Sequence, residues 1–66
     1  PRRLVGTYRG KTYDGTDFAA RHPGGSIIWR AHGRDVEEVW KEHGVDWHAD
    51  KNFIVEMIQN WPEVTT

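Results

Sequence analysis

The chain has 66 residues, nine Lys and Arg against ten Asp and Glu, no cysteine, and a mean hydropathy of −0.81. That length holds one domain at most, and the absence of cysteine excludes disulfides, thiolate zinc sites and iron–sulfur clusters. A net charge of −1 speaks against nucleic acid as a partner, and neither a membrane-length apolar run nor a signal-peptide pattern occurs. Leu4 to Arg9 and Lys11 to Asp14 alternate bulky and polar residues around Gly10, which predicts two short strands joined by a tight turn. Asp14 to Asp17 is turn chemistry, with Thr16 expected to cap a brief helical turn over Phe18 to Ala20. Pro23-Gly24-Gly25 then breaks the chain.

Beyond the break the period becomes helical. Ser26 reads as the N-cap of a helix over Ile27 to His32, stopped by Gly33. Asp35 with Glu38 resembles a capping box, and Val36, Val39 and Trp40 share the face of a second helix ended by Gly44. A loop from Val45 to Lys51 leads to a third helix with the apolar stripe Phe53, Ile54, Met57, Ile58 and Trp61, closed by Pro62. Strands followed by three short helices indicate an α+β fold, a single domain over residues 1–66. Pro1 is not an initiator methionine, so the expectation is a trimmed or minimal piece of something longer.

Stability is the first difficulty. A core of this size supplies only about 3–5 kcal/mol, yet four Trp, two Tyr and two Phe present large apolar surfaces. A bound metal, a cofactor or a surrounding protein is expected to complete the core. Four histidines in a chain without cysteine are the candidates to hold it. In His22-Pro23-Gly24-Gly25 the proline biases His22 toward an extended backbone that projects its imidazole, and two glycines let a flat cofactor approach the main chain. His43 and His48 lie on either side of Gly44 and are five apart, which is not the spacing that grips zinc on one helical face. A zinc site of histidine with Glu42 or Asp46 is the alternative metal centre. No nucleophile elbow or phosphate loop is present.

The stretch KTYDGTDF from Lys11 to Phe18, followed by His22-Pro23-Gly24-Gly25, resembles the cytochrome b5 haem-binding domain. The similarity continues through Gly33, Asp35, the aromatic Trp40 and a histidine before a final amphipathic helix, and so covers roughly residues 4 to 61. The nearest flavour is the domain fused to oxidases such as sulfite oxidase. Three features depart from the family: the N-terminal strand and helix are missing, Trp61 to Val64 replaces the C-terminal strand, and the loop carrying the second histidine differs in length.

The resemblance implies a small hairpin with helices forming a haem cleft, and haem b held by two axial histidines, His22 and His48. From His48 the last apolar stripe begins five residues on, near the family's interval, whereas from His43 the gap is ten. With both axial positions filled, the implied function is single-electron transfer between redox partners or fused oxidoreductase domains, without catalysis. Ile27, Ile28, Val36, Val39, Trp40, Phe53, Ile54 and Ile58 would pack on the porphyrin, with Met57 as core and Trp29 and Trp47 at a cofactor edge or half-exposed. The acidic residues Glu37, Glu38, Glu42 and Asp46 offer a docking surface for a basic partner. The alternative is a cytochrome b5-like interaction or ligand-binding module that has lost haem.

Overall fold

Residues 2–65 are described by a computed structural model; Pro1 and Thr66, included in the expected domain, lie outside it. Val5–Tyr8 (β1) and Lys11–Asp14 (β2) pair antiparallel, with Val5 opposite Asp14 and Tyr8 opposite Lys11. Arg9 and Gly10 both take positive φ, 50° and 83°, which is the two-residue turn whose twist matches that of the strands. Only a glycine fits at position 6, because a Cβ there would lie 2.9 Å from the Ala31 carbonyl oxygen. That contact seats the hairpin against the chain at residues 31–35: the Gly33 N–H donates to the Val5 carbonyl at 2.7 Å and the Thr7 N–H to the Arg34 carbonyl at 2.9 Å.

The opposite edge of the hairpin is also occupied. Trp61 to Val64 departs from the family's C-terminal strand in sequence, but the Asp14 N–H donates to the Pro62 carbonyl and the Val64 N–H to the Thr12 carbonyl, both at 2.8 Å. Tyr13 and Glu63 thereby form an antiparallel bridge on the free side of β2. Two backbone bonds suffice to lay this segment along the hairpin despite its unrelated side chains.

Helix α1 is Thr16–Ala19, and Thr16 is its first residue rather than its cap. The Asp14 carboxylate takes the capping role, accepting from the Thr16 N–H and hydroxyl, while the Thr16 hydroxyl oxygen accepts from the Leu4 N–H at 2.9 Å. The Arg3 guanidinium also donates to Asp14, at 2.7 Å. This guanidinium, followed by the Thr16 donors, holds the Asp14 carboxyl down at about 2. A carboxyl depressed on folding contributes stability above its unfolded pKa and loses it as pH falls through the folded value. Asp14→Asn is therefore expected to lower the melting temperature at neutral pH, with the gap from the native chain closing between about pH 4 and about pH 2. Melts of both chains across that window check it, and a gap that persists at the acid end contradicts it.

The segment expected as a helix capped by Ser26 is a 3-10 helix over Gly25–Ala31, with no side chain capping its start. Its first turn is organised from outside, since the Gly25 N–H donates to the His22 carbonyl at 3.0 Å. Helix α2, Val36–Glu42, begins as expected: Asp35 accepts from the N–H groups of Glu37 and Glu38, a cap worth about 1 kcal/mol. It ends at His43 and Gly44, whose φ of 67° allows the chain to leave the helix. The expected loop over Val45 to Lys51 contains a second 3-10 helix, Asp46–Asp50. Helix α3, Asn52–Gln59, closes with Asn60, so Trp61 lies just past the helix instead of on its last turn. Leu4, Tyr8 and Tyr13 from the hairpin meet Ala19, Ala31, Val36, Val39, Ile54 and Ile58 in one buried cluster. The α+β class read from the sequence is the one observed.

Candidate functional site

Hairpin, helices and loops leave between them a cavity of about 590 Å³. Leu4, Tyr8 and Tyr13 contribute from the hairpin side, Ile27, Ile28 and Ala31 from the first 3-10 helix, Val36, Val39 and Trp40 from α2, and Phe53, Ile54, Met57 and Ile58 from α3. All eight apolar residues expected to face a cofactor line it, and Met57 does too. Trp29 does not: it packs on the core under the Arg2 guanidinium, 4.7 Å from its ring. No lining residue is Asp, Glu, Lys or Arg, so the charge-bearing chemistry of the cavity rests with its histidines.

Three of the four histidines reach this cavity: His22, His43 and His48. His22 sits in the turn between α1 and the first 3-10 helix, with Phe18 edge-on to its ring at 5.8 Å. Its Nδ1 lies 3.0 Å from the Gly25 carbonyl oxygen. Gly24 must lack a side chain, because a Cβ there would stand 2.6 Å from His22 Cε1. The Pro-Gly-Gly sequence thus turns the chain and also clears space for the ring.

His48 lies in the second 3-10 helix and bonds through Nδ1 to the Val45 carbonyl. A carbonyl oxygen can only accept, so in both rings Nδ1 carries the proton. The neutral imidazole then keeps its lone pair on Nε2, the arrangement of a metal-ligating histidine held by an outer partner. His48 is also flanked by indoles, with Trp47 stacked at 4.0 Å and Trp40 at 5.1 Å between ring centroids. His43 is exposed at the end of α2, where it is the C-cap residue. His32 is elsewhere: its Nδ1 accepts from the Val5 N–H at 3.0 Å, a bond that pins the hairpin.

The zinc alternative is not assembled. Among the described residues no three His, Cys, Asp or Glu side chains converge, and Glu42 is engaged by the Arg34 guanidinium in a two-pronged pair. Glu38 and Asp46 of the acidic group are exposed.

Three participants escaped sequence reading. Tyr8 is 1% exposed, lines the cavity, and its hydroxyl has no hydrogen-bond partner among the described residues; burial pushes this phenol above its ordinary pKa. The alternation of β1 signals its inward direction but not its missing partner. The carbonyls of Gly25 and Val45 are invisible in any side-chain pattern, although each lies three residues from the histidine it serves.

An apolar slot lined by three imidazoles, two of them tied at Nδ1 to backbone carbonyls, fits a flat metal-bearing group. Among the described residues no helix is long and apolar enough to cross a membrane. Comparison with known proteins agrees with this chemistry. Residues 1–62 match the family model of the cytochrome b5-like heme/steroid binding domain. A cytochrome b5-like protein of Acanthamoeba polyphaga mimivirus is 40% identical over 42 residues, which is 62% of this chain and 34% of that relative, so the matched stretch spans about a third of its length. No solved structure matches significantly. With a family match over nearly its whole length and a histidine-bearing apolar cleft behind it, the chain belongs to the cytochrome b5-like heme/steroid binding domain family.

Proposed function

We propose that residues 1–66 act as one haem b domain, with His22 and His48 as its axial ligands, and that it passes single electrons between redox partners or fused oxidoreductase domains. The carrying observation is the pairing of two histidines on one apolar cavity, each with Nδ1 tied to a backbone carbonyl three residues away. When bound, the haem supplies a one-electron iron couple.

The chain's own residues account for the rest. The Gly25 and Val45 carbonyls hold the two rings in the tautomer that offers Nε2. Gly24 leaves room for the His22 ring. Val36, Val39, Ile54 and Ile58 line the cavity and would shield a bound haem from water, and a low-dielectric surround of this kind tunes the potential of a metal centre. With two protein ligands a bound haem would have no open coordination position, which supports electron transfer over bond-making chemistry. The exposed acids Glu38 and Asp46 give a basic partner a surface to approach.

Absorption spectroscopy of the purified protein tests the reading. The expected result is a red protein with a sharp Soret band that shifts on dithionite while remaining six-coordinate and low-spin. Colourless protein that takes up no haem overturns it, and an apolar ligand retained by that protein identifies the haem-free binding module instead.

A further inference from the structure

The loop between Gly44 and Lys51 carries more than a ligand candidate. Trp47 stacks on the His48 imidazole with centroids 4.0 Å apart and planes inclined by 24°, while Trp40 stacks at 5.1 Å and 22°. Two indoles lying nearly parallel to a five-membered ring at these distances cannot share one face without colliding, so each covers a face of its own. Trp40 comes from α2, whose position the core fixes. Trp47 comes from the second 3-10 helix and is 52% exposed, an extent the hydrophobic effect alone does not explain for so large a side chain. Its orientation is accounted for by what it touches.

We propose that Trp47 is a positioning residue that closes the outer face of His48, so that the ring is clamped between two indoles while its Val45 bond fixes its rotation. This rests on His48 being an axial ligand. Three constraints then act on one imidazole: a hydrogen bond at Nδ1 sets where Nε2 points, Trp40 sets the plane from within, and Trp47 prevents the ring from swinging out to solvent. His22 has a carbonyl bond and one edge-on aromatic contact, so the two ligands are held unequally.

The test uses the haem-loaded protein, with transfer of haem to excess apomyoglobin and the low-spin ferric electron paramagnetic resonance signal as readouts. Trp47→Ala is expected to speed haem loss about 3- to 10-fold, the range of one aromatic pair, and to shift the low-spin g-values as the ring gains freedom. Trp47→Phe restores both. Trp47→Leu, which keeps apolar bulk without the stacking face, should resemble the alanine variant, and it serves equally if that variant does not fold. Native rates and g-values in Trp47→Leu or Trp47→Ala overturn the clamp. His48→Ala is measured alongside: if it loses the low-spin signal while the Trp47 variants are unchanged, only the clamp fails. If it keeps that signal, the axial assignment fails and the clamp with it.

Discussion

His48→Ala is expected to lose the six-coordinate low-spin spectrum of the haem-loaded protein, and His43→Ala to keep it. Both histidines reach the cavity and lie only five residues apart, so position alone does not separate them. Their surroundings do. His48 is half-buried, bonded at Nδ1 and stacked with two indoles; His43 is exposed, and its backbone N–H donates to the Val39 carbonyl as α2 ends. An imidazole already fixed loses little freedom on binding a metal, whereas one free in solvent must be ordered first. Removing only the outer partner of a metal ligand costs about 10–100-fold in affinity, so removing His48 itself should weaken haem binding by at least about 100-fold. His22→Ala is expected to do the same from the other side. Spectra of the three variants, read with haem titrations, check the assignment; a normal His48→Ala beside a high-spin His43→Ala would reverse it.

The ease with which parts of this site were read from sequence follows the range of the interactions involved. The hairpin was legible because bulky and polar residues alternate on either side of Gly10, whose positive φ serves the turn, and the start of α2 because Asp35 bonds N–H groups only two and three residues on. His22 was legible because Pro23 and Gly24 constrain it locally. Thr16 misled because its hydroxyl, able to cap its own helix, is occupied by the distant Leu4 N–H, leaving Asp14 to take that role. The 3-10 form of Gly25–Ala31 misled for a related reason: the bonds between Gly25 and His22 begin the segment from outside, and a tight start favours the i+3 pattern over the i+4 one that apolar spacing suggests. Trp47 and Tyr8 could be counted but not placed. Stacking on a neighbouring ring and the lack of a partner for a buried hydroxyl are set by tertiary packing, which leaves no periodic trace.

Removing haem is expected to destabilise the fold far more than any single substitution considered above. Every residue of the buried cluster except Ala19 also lines the cavity, so the core of this protein is the wall of its binding site. Without a guest, Tyr8, Val36, Val39, Ile54 and Ile58 face a space of about 590 Å³ and lose the contacts that close packing would supply. Only about 3–5 kcal/mol is available from so small a core to absorb that loss. A ligand bound only by the folded state adds RT ln(1 + [L]/Kd), or about 4 kcal/mol at a thousandfold excess over Kd. For a domain of this size each kcal/mol moves the melting temperature by about 4–8 °C, so the haem-free chain should melt some ~15–30 °C below the loaded one. The loosening should concentrate where helices meet the cavity with little other support, at His22 and across the second 3-10 helix bearing His48, and spare the hairpin pinned by Gly33, Arg34 and Pro62. Paired thermal melts measure the first effect and amide exchange the second. A haem-free chain that melts within one or two degrees of the loaded protein would mean that the cavity walls support one another unaided.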